Sequence, residues 1–567
     1  MLDRKAALRS RPAKPARAED DRVVTVKEPA VRQAPFSQGL EYMPEIRSDA
    51  RLCRPGPHAG QQAPTGARPG GRCEWHIWAL LPGSGRHPAC HRGWHLAARP
   101  GFRSSKPCGK ASVPSAGQDA RLYGRQDACR HGRVWHTGPA FLAAVLGIIL
   151  PVCAAAGGDF VAGADFSDLG FFESRGVVYR DAGQPQDGLA ILKRQGLTCV
   201  RLRLFTSSAA QAQADPYNYT NNLDYTLPLA LRVKNAGLQF MLDFHYSDSW
   251  ADPGQQTKPA AWTNLTFTQL AAQMRQYNSN CIAAFKAAGA TPDYVQVGNE
   301  IIGGLLWPDG RVGGAFDTPA QWSKLGQLLT NAITGIREAA GPQSPKIVIH
   351  IDRGGDWGGT EWFFDHLLQQ QVPFDIIGES YYPFWHGSLD NLRTCLTNAA
   401  ARYGKPLMVT ETAFPYAYST NIYGIPATTN GQVQYVVALA QALMCVPGGK
   451  VIGAFWWGAE YQPLPGVNLG GCENRSFFGS GGDVLPVAEA FGRLAAPLRL
   501  SASSTGSGLT LQWPLRGAGS ALMTTMHVAP PAVWQPVTNA VQNTGTMFNL
   551  TLPRDPAPAR FYRLQSN

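Results

Sequence analysis

Charged residues are scarce in this chain: Asp, Glu, Lys and Arg together make up 16% of its 567 residues. Long apolar runs are missing too. The longest, Phe141 to Ala156, stops short of the roughly 20 residues that span a bilayer as a helix. A multi-span membrane protein is thereby excluded, while a 44% hydrophobic content excludes a chain disordered throughout. No glycine-rich phosphate loop follows an early strand-like segment, which argues against a doubly wound nucleotide-binding sheet. Cysteine and histidine never fall into paired-ligand spacing. Cys73, His76, Cys90 and His91 come nearest, so no zinc site is expected. None of Cys199, Cys281, Cys395, Cys445 and Cys472 has the histidine pairing of a thiol nucleophile. Five is an odd number, so at least one stays free or pairs between molecules in a secreted protein.

The charge that is present is unevenly spread. The net +11 invites a nucleic-acid reading, but residues 1–140 hold 24 Lys+Arg against 11 Asp+Glu, leaving 27 against 29 for residues 141–567. Residues 1–135, rich in Arg, Pro, Gly, Ala and His, show no sustained apolar periodicity and read as a disordered basic extension, or as sequence upstream of the true start. Arg130, Arg133 and His136 then precede the run "FLAAVLGIILPVCAAA", which ends in small residues. That layout reads as a secretory signal peptide over 136–156 and predicts a secreted protein with no stable membrane association and no nucleic-acid partner.

Over 157–494, β-branched runs alternate with helix-like segments, several of which stop at glycine. The strand-like runs are "FVAGADFS", "TCVRLRLF", "LQFMLDFHYSD", "YVQVGNE", "KIVIHID", "FDIIGESYYP", "PLMVTET" and "VIGAFWWG". Eight such alternations predict an α/β fold, a (β/α)8 TIM barrel. Polar residues gather where the runs end, among them Asp165, Arg201, Arg203, Asp243, His245, Asn299, Glu300, His350, Asp352, Ser380, Tyr382 and Glu411. In a barrel these ends open on one face, where such enzymes keep their active sites. Residues 495–567 turn Ser/Gly/Thr-rich with short alternating runs and read as a small C-terminal all-β module.

Two glutamates stand out: Glu300 closes the fourth run and Glu411 the seventh, on strands expected at opposite sides of the ring. Hydrolysis of an acetal with retention needs such a pair, one acid to protonate the leaving oxygen and one carboxylate to attack the anomeric carbon. Asn299 is placed to bond a sugar 2-hydroxyl and Tyr382 to orient Glu411. Trp250, Trp262, Trp307, Trp357, Trp385, Trp456 and Trp457 fall in or just after strand ends, as a cleft that stacks on sugar rings would require.

The stretches "GADFSDL", "DFHYSDSWADPGQQTKPAAW", "VQVGNEIIGGLLWPDG", "IVIHIDRGG", "FDIIGESYYPFWHG", "PLMVTETAFPY" and "CENRSFFG" resemble, in order and spacing over about residues 158–490, the arabinogalactan endo-β-1,4-galactanases of glycoside hydrolase family 53. The resemblance implies a secreted endo-acting retaining hydrolase of β-1,4-galactan or arabinogalactan that needs no cofactor. It implies Glu300 as general acid/base and Glu411 as nucleophile. Arg203, His245, Asn299, Trp307, His350, Asp352, Ser380, Tyr382, Trp457 and Asn474 would bind the sugar. The alternatives are a clan relative cutting mannan or β-glucan, and a non-catalytic polysaccharide-binding barrel. Three departures mark the chain. Strand eight reads "FWWGAEY" where the family commonly has a Tyr-Trp-Glu-Pro-like run, with Trp457 matching. Glu379 stands where relatives usually have an apolar residue, so it is either a third carboxylate at the site or a buried acid with a partner. The loop "AFPYAYSTNIYG" after Glu411 lacks the carboxylates of the calcium-binding loop found in some bacterial members, so no metal is expected there.

Overall fold

The computed structural model describes residues 160–505, 508–528, 531–553 and 560–565. The basic extension, the segment 136–156 and the Cys73/His76/Cys90/His91 set lie outside the described residues. Eight strands carry the fold: β1 Val161–Asp165, β2 Cys199–Leu204, β3 Gln239–Phe244, β4 Tyr294–Val297, β5 Lys346–Ile351, β6 Ile376–Ser380, β7 Leu407–Thr412 and β8 Val451–Trp456. Each pairs in parallel with its sequence neighbours, and β1 also pairs with β8, which closes the barrel. Between and after them run α1 Gly188–Arg194, α2 Leu223–Asn235, α3 Phe267–Ala287, α4 Pro319–Ala340, α5 Trp357–Gln369, α6 Leu389–Tyr403, α7 Thr429–Met444 and α8 Pro486–Gly492. Strand order around the ring puts two strands between β4 and β7, so they are three places apart rather than diametrically opposed.

Local chemistry explains where the helices start and stop. Thr266 and Ser388 form capping boxes with Gln269 and Asn391, and the side chains of Asn222, Thr318 and Asp356 accept the first free amides of α2, α4 and α5. At the far end of α6, Gly404 takes a left-handed turn (φ 63°), which glycine adopts without steric cost. The buried face of α4 carries Trp322, Leu325, Leu329, Ala332 and Ile336, the spacing of one helix stripe.

Period-two alternation sorts the strands into two surfaces. Val161, Cys199, Met241, Val348, Ile376, Met408 and Phe455 point inward and fill the barrel floor. The outward set, including Ala162, Val200, Leu242, Val295, Ile349, Ile377 and Val409, packs under the helices in the main core. Inside, Gly163 leaves room for the Phe455 ring, where a Cβ would come within 2.2 Å of ring carbon. Above the floor, the inward positions turn polar.

The C-terminal residues form two small antiparallel sheets. One holds Ser501–Thr505, Gly508–Pro514, Met547–Pro553 and Gln542–Asn543; the other holds Gln535–Pro536, Ala521–Thr525 and Phe561–Gln565. Leu511, Trp513, Leu522 and Leu550 are buried between them. No helix among the described residues is long and apolar enough to cross a membrane, and the five described cysteines are all free thiols.

Candidate active site

The strands end earlier than their apolar runs suggest, so His245, Asn299, Glu300, Asp352 and Tyr382 lie just past them. At β4 the cause is conformational. Gly298 has φ 93° and Glu300 sits in the left-handed region at φ 49°, which ends pairing and lifts the Glu300 side chain into the mouth. For β7 the cause is a bulge. Val409 pairs with Glu379 but Glu411 pairs with Ser380, leaving Thr410 as the extra residue. Regular alternation from the inward Met408 would turn Glu411 outward; the bulge turns it in.

At the centre of the cleft floor is Arg201. It donates to Asp165 (2.7 Å), Asp243 (2.8 Å), Asn299 (2.9 Å) and Gln296 (3.2 Å), and its Nη2 lies 2.8 Å from Glu411 Oε1. Tyr382 donates its hydroxyl hydrogen to the other Glu411 oxygen at 2.8 Å. Burial and the adjacent glutamates push the Tyr382 phenol well above its ordinary range, so it keeps the hydrogen it donates. Glu300 receives no such cation. Burial, followed by the charges of Glu411 and Asp352, pushes it well above the ordinary carboxylate range, with the Ser380 hydroxyl pulling weakly the other way. Burial also raises Glu411, but there the Arg201 guanidinium and the Tyr382 hydroxyl oppose it. The two carboxyls thus differ: both are raised by burial, Glu300 well above the ordinary range, while Glu411, with a cation in contact, is raised less and is the one whose ionised form is favoured.

His350 stands between them. Its Nδ1 takes a hydrogen from the Gln296 amide at 2.7 Å and its Nε2 faces Ser380 Oγ at 2.8 Å. Burial and Arg201 hold it well below the usual histidine range, so the ring is neutral. Ligand-type atoms of Glu300, His350 and Glu411 all lie within 4.8 Å of one another. Both ring nitrogens and both Glu411 oxygens are already engaged by protein groups. His245 accepts the Ala251 amide at Nδ1 and turns Nε2 to Asp243 at 3.0 Å. Asn299 gives its amide to the Ala251 carbonyl at 2.8 Å.

At the rim, Arg203 is ion-paired to Asp168 and lies 4.2 Å from the centre of the Trp250 ring, with Trp457 at 6.0 Å. Trp250 and Trp457 are themselves 6.4 Å apart. Asp352 is buried beside the cleft with its Oδ1 free of any protein partner, and burial lifts its carboxyl to about 7.

Ten of the twelve side chains singled out in the sequence meet around this cleft. Two do not join its network. Trp307 lies in the loop after β4 with its indole nitrogen on the Gly303 carbonyl and Arg311 over its ring. Asn474 engages the Tyr416 amide through its backbone carbonyl. Three of the expected cleft tryptophans are packing residues. Trp456 is fully buried on the outer side of β8 against Phe477 and Phe491, Trp262 packs on Tyr277, and Trp357 on Tyr403. Asp165, Arg201 and Asp243, noted in the sequence only as polar residues near strand ends, form the centre of the site, and Gln296 joins them without having been singled out. The signal for Arg201 and Asp243 was a polar residue two positions before the next inward polar one, as in Arg201/Arg203 and Asp243/His245. Glu379 faces away from the cleft and has partners, which resolves its two readings in favour of a buried acid.

Comparison with known proteins agrees with this geometry. The family model for glycosyl hydrolase family 53 matches residues 161–491. A protein of Niallia circulans described as an uncharacterized protein in the bgaB 5' region is 40% identical over 319 residues, 54% of this chain and 84% of its own. The arabinogalactan endo-β-1,4-galactanase of Humicola insolens is 34% identical over 347 residues, 59% of this chain and 98% of its own. Among solved structures, the GH53 catalytic domain of Ignisphaera aggregans superposes with a TM-score of 0.55 at 34% identity, covering 62% of this chain and 99% of that one.

Proposed function

The chain belongs to glycosyl hydrolase family 53 and is a glycoside hydrolase; we propose that it cleaves internal β-1,4-galactosidic bonds of galactan or arabinogalactan by double displacement. The observation that carries the mechanism is the pair Glu300 and Glu411, with carboxylate oxygens within 4.8 Å and a cation on only one of them. Retaining glycosidases need carboxyls about 5–5.5 Å apart, whereas inverting ones leave room for a water between them, at about 6.5–9.5 Å.

In the first step Glu411, held ionised by Arg201 and aligned by Tyr382, attacks the anomeric carbon. Glu300 gives its proton to the departing glycosidic oxygen. A covalent glycosyl ester on Glu411 results. In the second step Glu300, now a carboxylate, takes a proton from water, and the resulting hydroxide displaces the ester. The sugar leaves with its original configuration and Glu300 is protonated again. Asn299, fixed at both ends of its amide, is placed beside the sugar 2-hydroxyl, while Trp250 and Trp457 offer apolar faces to pyranose rings. His245, Arg203, His350, Ser380 and Asp352 supply hydrogen-bonding groups around them. The galactan specificity rests on family membership and on the similarity to the Humicola insolens enzyme. Action outside the cytosol rests on the segment 136–156.

The test is incubation of the protein with linear β-1,4-galactan, following new reducing ends. Oligosaccharides are expected from the wild type, and none from Glu411→Ala, which still binds the chain; an Ala variant with full activity would overturn the assignment of the nucleophile.

A further inference from the structure

Glu379 is a buried acid that the chemistry above does not use. It lies on β6 opposite Ile351 and Val409, on the outward side of the barrel wall, with 1% of its surface exposed. Its carboxyl grips the turn between β5 and α5. Oε2 accepts the Arg353 amide hydrogen at 3.0 Å, and Oε1 lies 3.0 Å from the hydroxyl of Thr360 on α5. That hydroxyl is also 3.3 Å from the Arg353 carbonyl, to which Cys395 of α6 donates at 3.6 Å. The N–H and the C=O of Arg353, on the two peptide groups that flank its Cα, are therefore both held from behind the wall.

The residue before Arg353 is Asp352. Its side chain has little to hold it: Oδ1 has no protein partner, and the nearest cation is Arg353 Nη1 at 3.7 Å. The position of its carboxyl, whose charge acts on Glu300, is accordingly set by the main chain. We propose that Glu379 is a positioning residue, which clamps the Arg353 backbone so that the Asp352 carboxyl keeps its place at the edge of the cleft to meet a substrate hydroxyl. The substrate half of this inference rests on the galactan reading above; the clamp itself does not. Burial pushes Glu379 well above the ordinary carboxylate range, which favours its protonated form and a weaker negative charge behind Asp352. A glutamine would reproduce this, with its carbonyl toward the Arg353 amide and its NH2 toward Thr360.

Two measurements on the full chain test the two halves separately. Hydrogen exchange followed by mass spectrometry reads the clamp without substrate: the peptide carrying the Arg353 amide should exchange about 10-fold or more faster in Glu379→Ala than in the wild type or Glu379→Gln. Unchanged exchange would overturn the clamp whatever the substrate. On galactan, Glu379→Ala should raise KM about 10-fold with kcat little changed, Glu379→Gln should stay within about 2-fold, and in an Asp352→Ala background Glu379→Ala should add less than about 2-fold. A full 10-fold loss in both backgrounds, or a loss confined to kcat, would overturn action through Asp352. If Glu379→Ala does not fold, Thr360→Val, which removes only the hydroxyl, goes through the same two measurements. A wild type inert on galactan would fail the substrate reading and leave the exchange result to decide the clamp.

Discussion

The charge logic of the cleft turns on Arg201, one fully buried guanidinium shared among Asp165, Asp243 and Glu411. Because it contacts Glu411 and not Glu300, the pH profile follows with a definite sign. On the proposed mechanism activity needs Glu411 ionised, so kcat/KM falls as pH drops through its pKa. It also needs Glu300 protonated, so kcat/KM falls again as pH climbs through the raised Glu300 pKa. A bell is expected, reported as two values of the coupled pair. Glu300→Gln, assayed on an aryl β-galactoside whose leaving group needs no protonation, should lose the alkaline limb. A variant that kept it would assign that limb elsewhere. Glu300 and Glu411 were legible in the sequence because each closes an apolar run. Arg201 was visible only as one of two arginines in "VRLRLF", since nothing in a single strand says which guanidinium lies under three acids contributed by other strands.

At the level of elements, the eight alternations were legible because the barrel strands are continuous apolar runs, and the helix starts because their caps are Thr, Ser, Asn and Asp. Two local irregularities were not. The Thr410 bulge in β7 and the left-handed Glu300 after β4 both break the period that a sequence reading relies on, and each re-aims one of the two glutamates. A left-handed non-glycine residue costs about 1–2 kcal/mol, a cost the surrounding fold must offset. Tryptophan was misread for a related reason. In "AFWWG" one indole faces the cleft and its neighbour the helices, and composition alone does not separate them. The buried Glu379 has its own consequence for stability. Its folded-state pKa is raised above the unfolded value, so its contribution is fully present below the unfolded pKa of about 4.3 and is lost as pH rises through the folded one. Glu379→Gln removes this dependence. Urea unfolding of the two proteins from pH 5 to 8 should show the variant gaining on the wild type with pH, at up to about 1.4 kcal/mol per pH unit; parallel curves would mean that Glu379 does not hold its proton.

For the whole molecule, the basic total that first draws attention belongs to residues 1–140. The remaining residues carry a nearly balanced charge, 27 Lys+Arg against 29 Asp+Glu, which suits a neutral glycan. The barrel brings acids, arginines and aromatics from its eight strand ends to one mouth, so a site spread over some 300 residues of sequence becomes a single cleft. The central claim, that Glu300 and Glu411 act by double displacement on β-1,4-galactan, is tested most directly by the anomer released first. Proton NMR of galacto-oligosaccharide hydrolysis, recorded before mutarotation, should show the β-anomer of the product appearing ahead of the α-anomer. An α-configured first product would contradict a covalent intermediate on Glu411 and, with it, this account of the site.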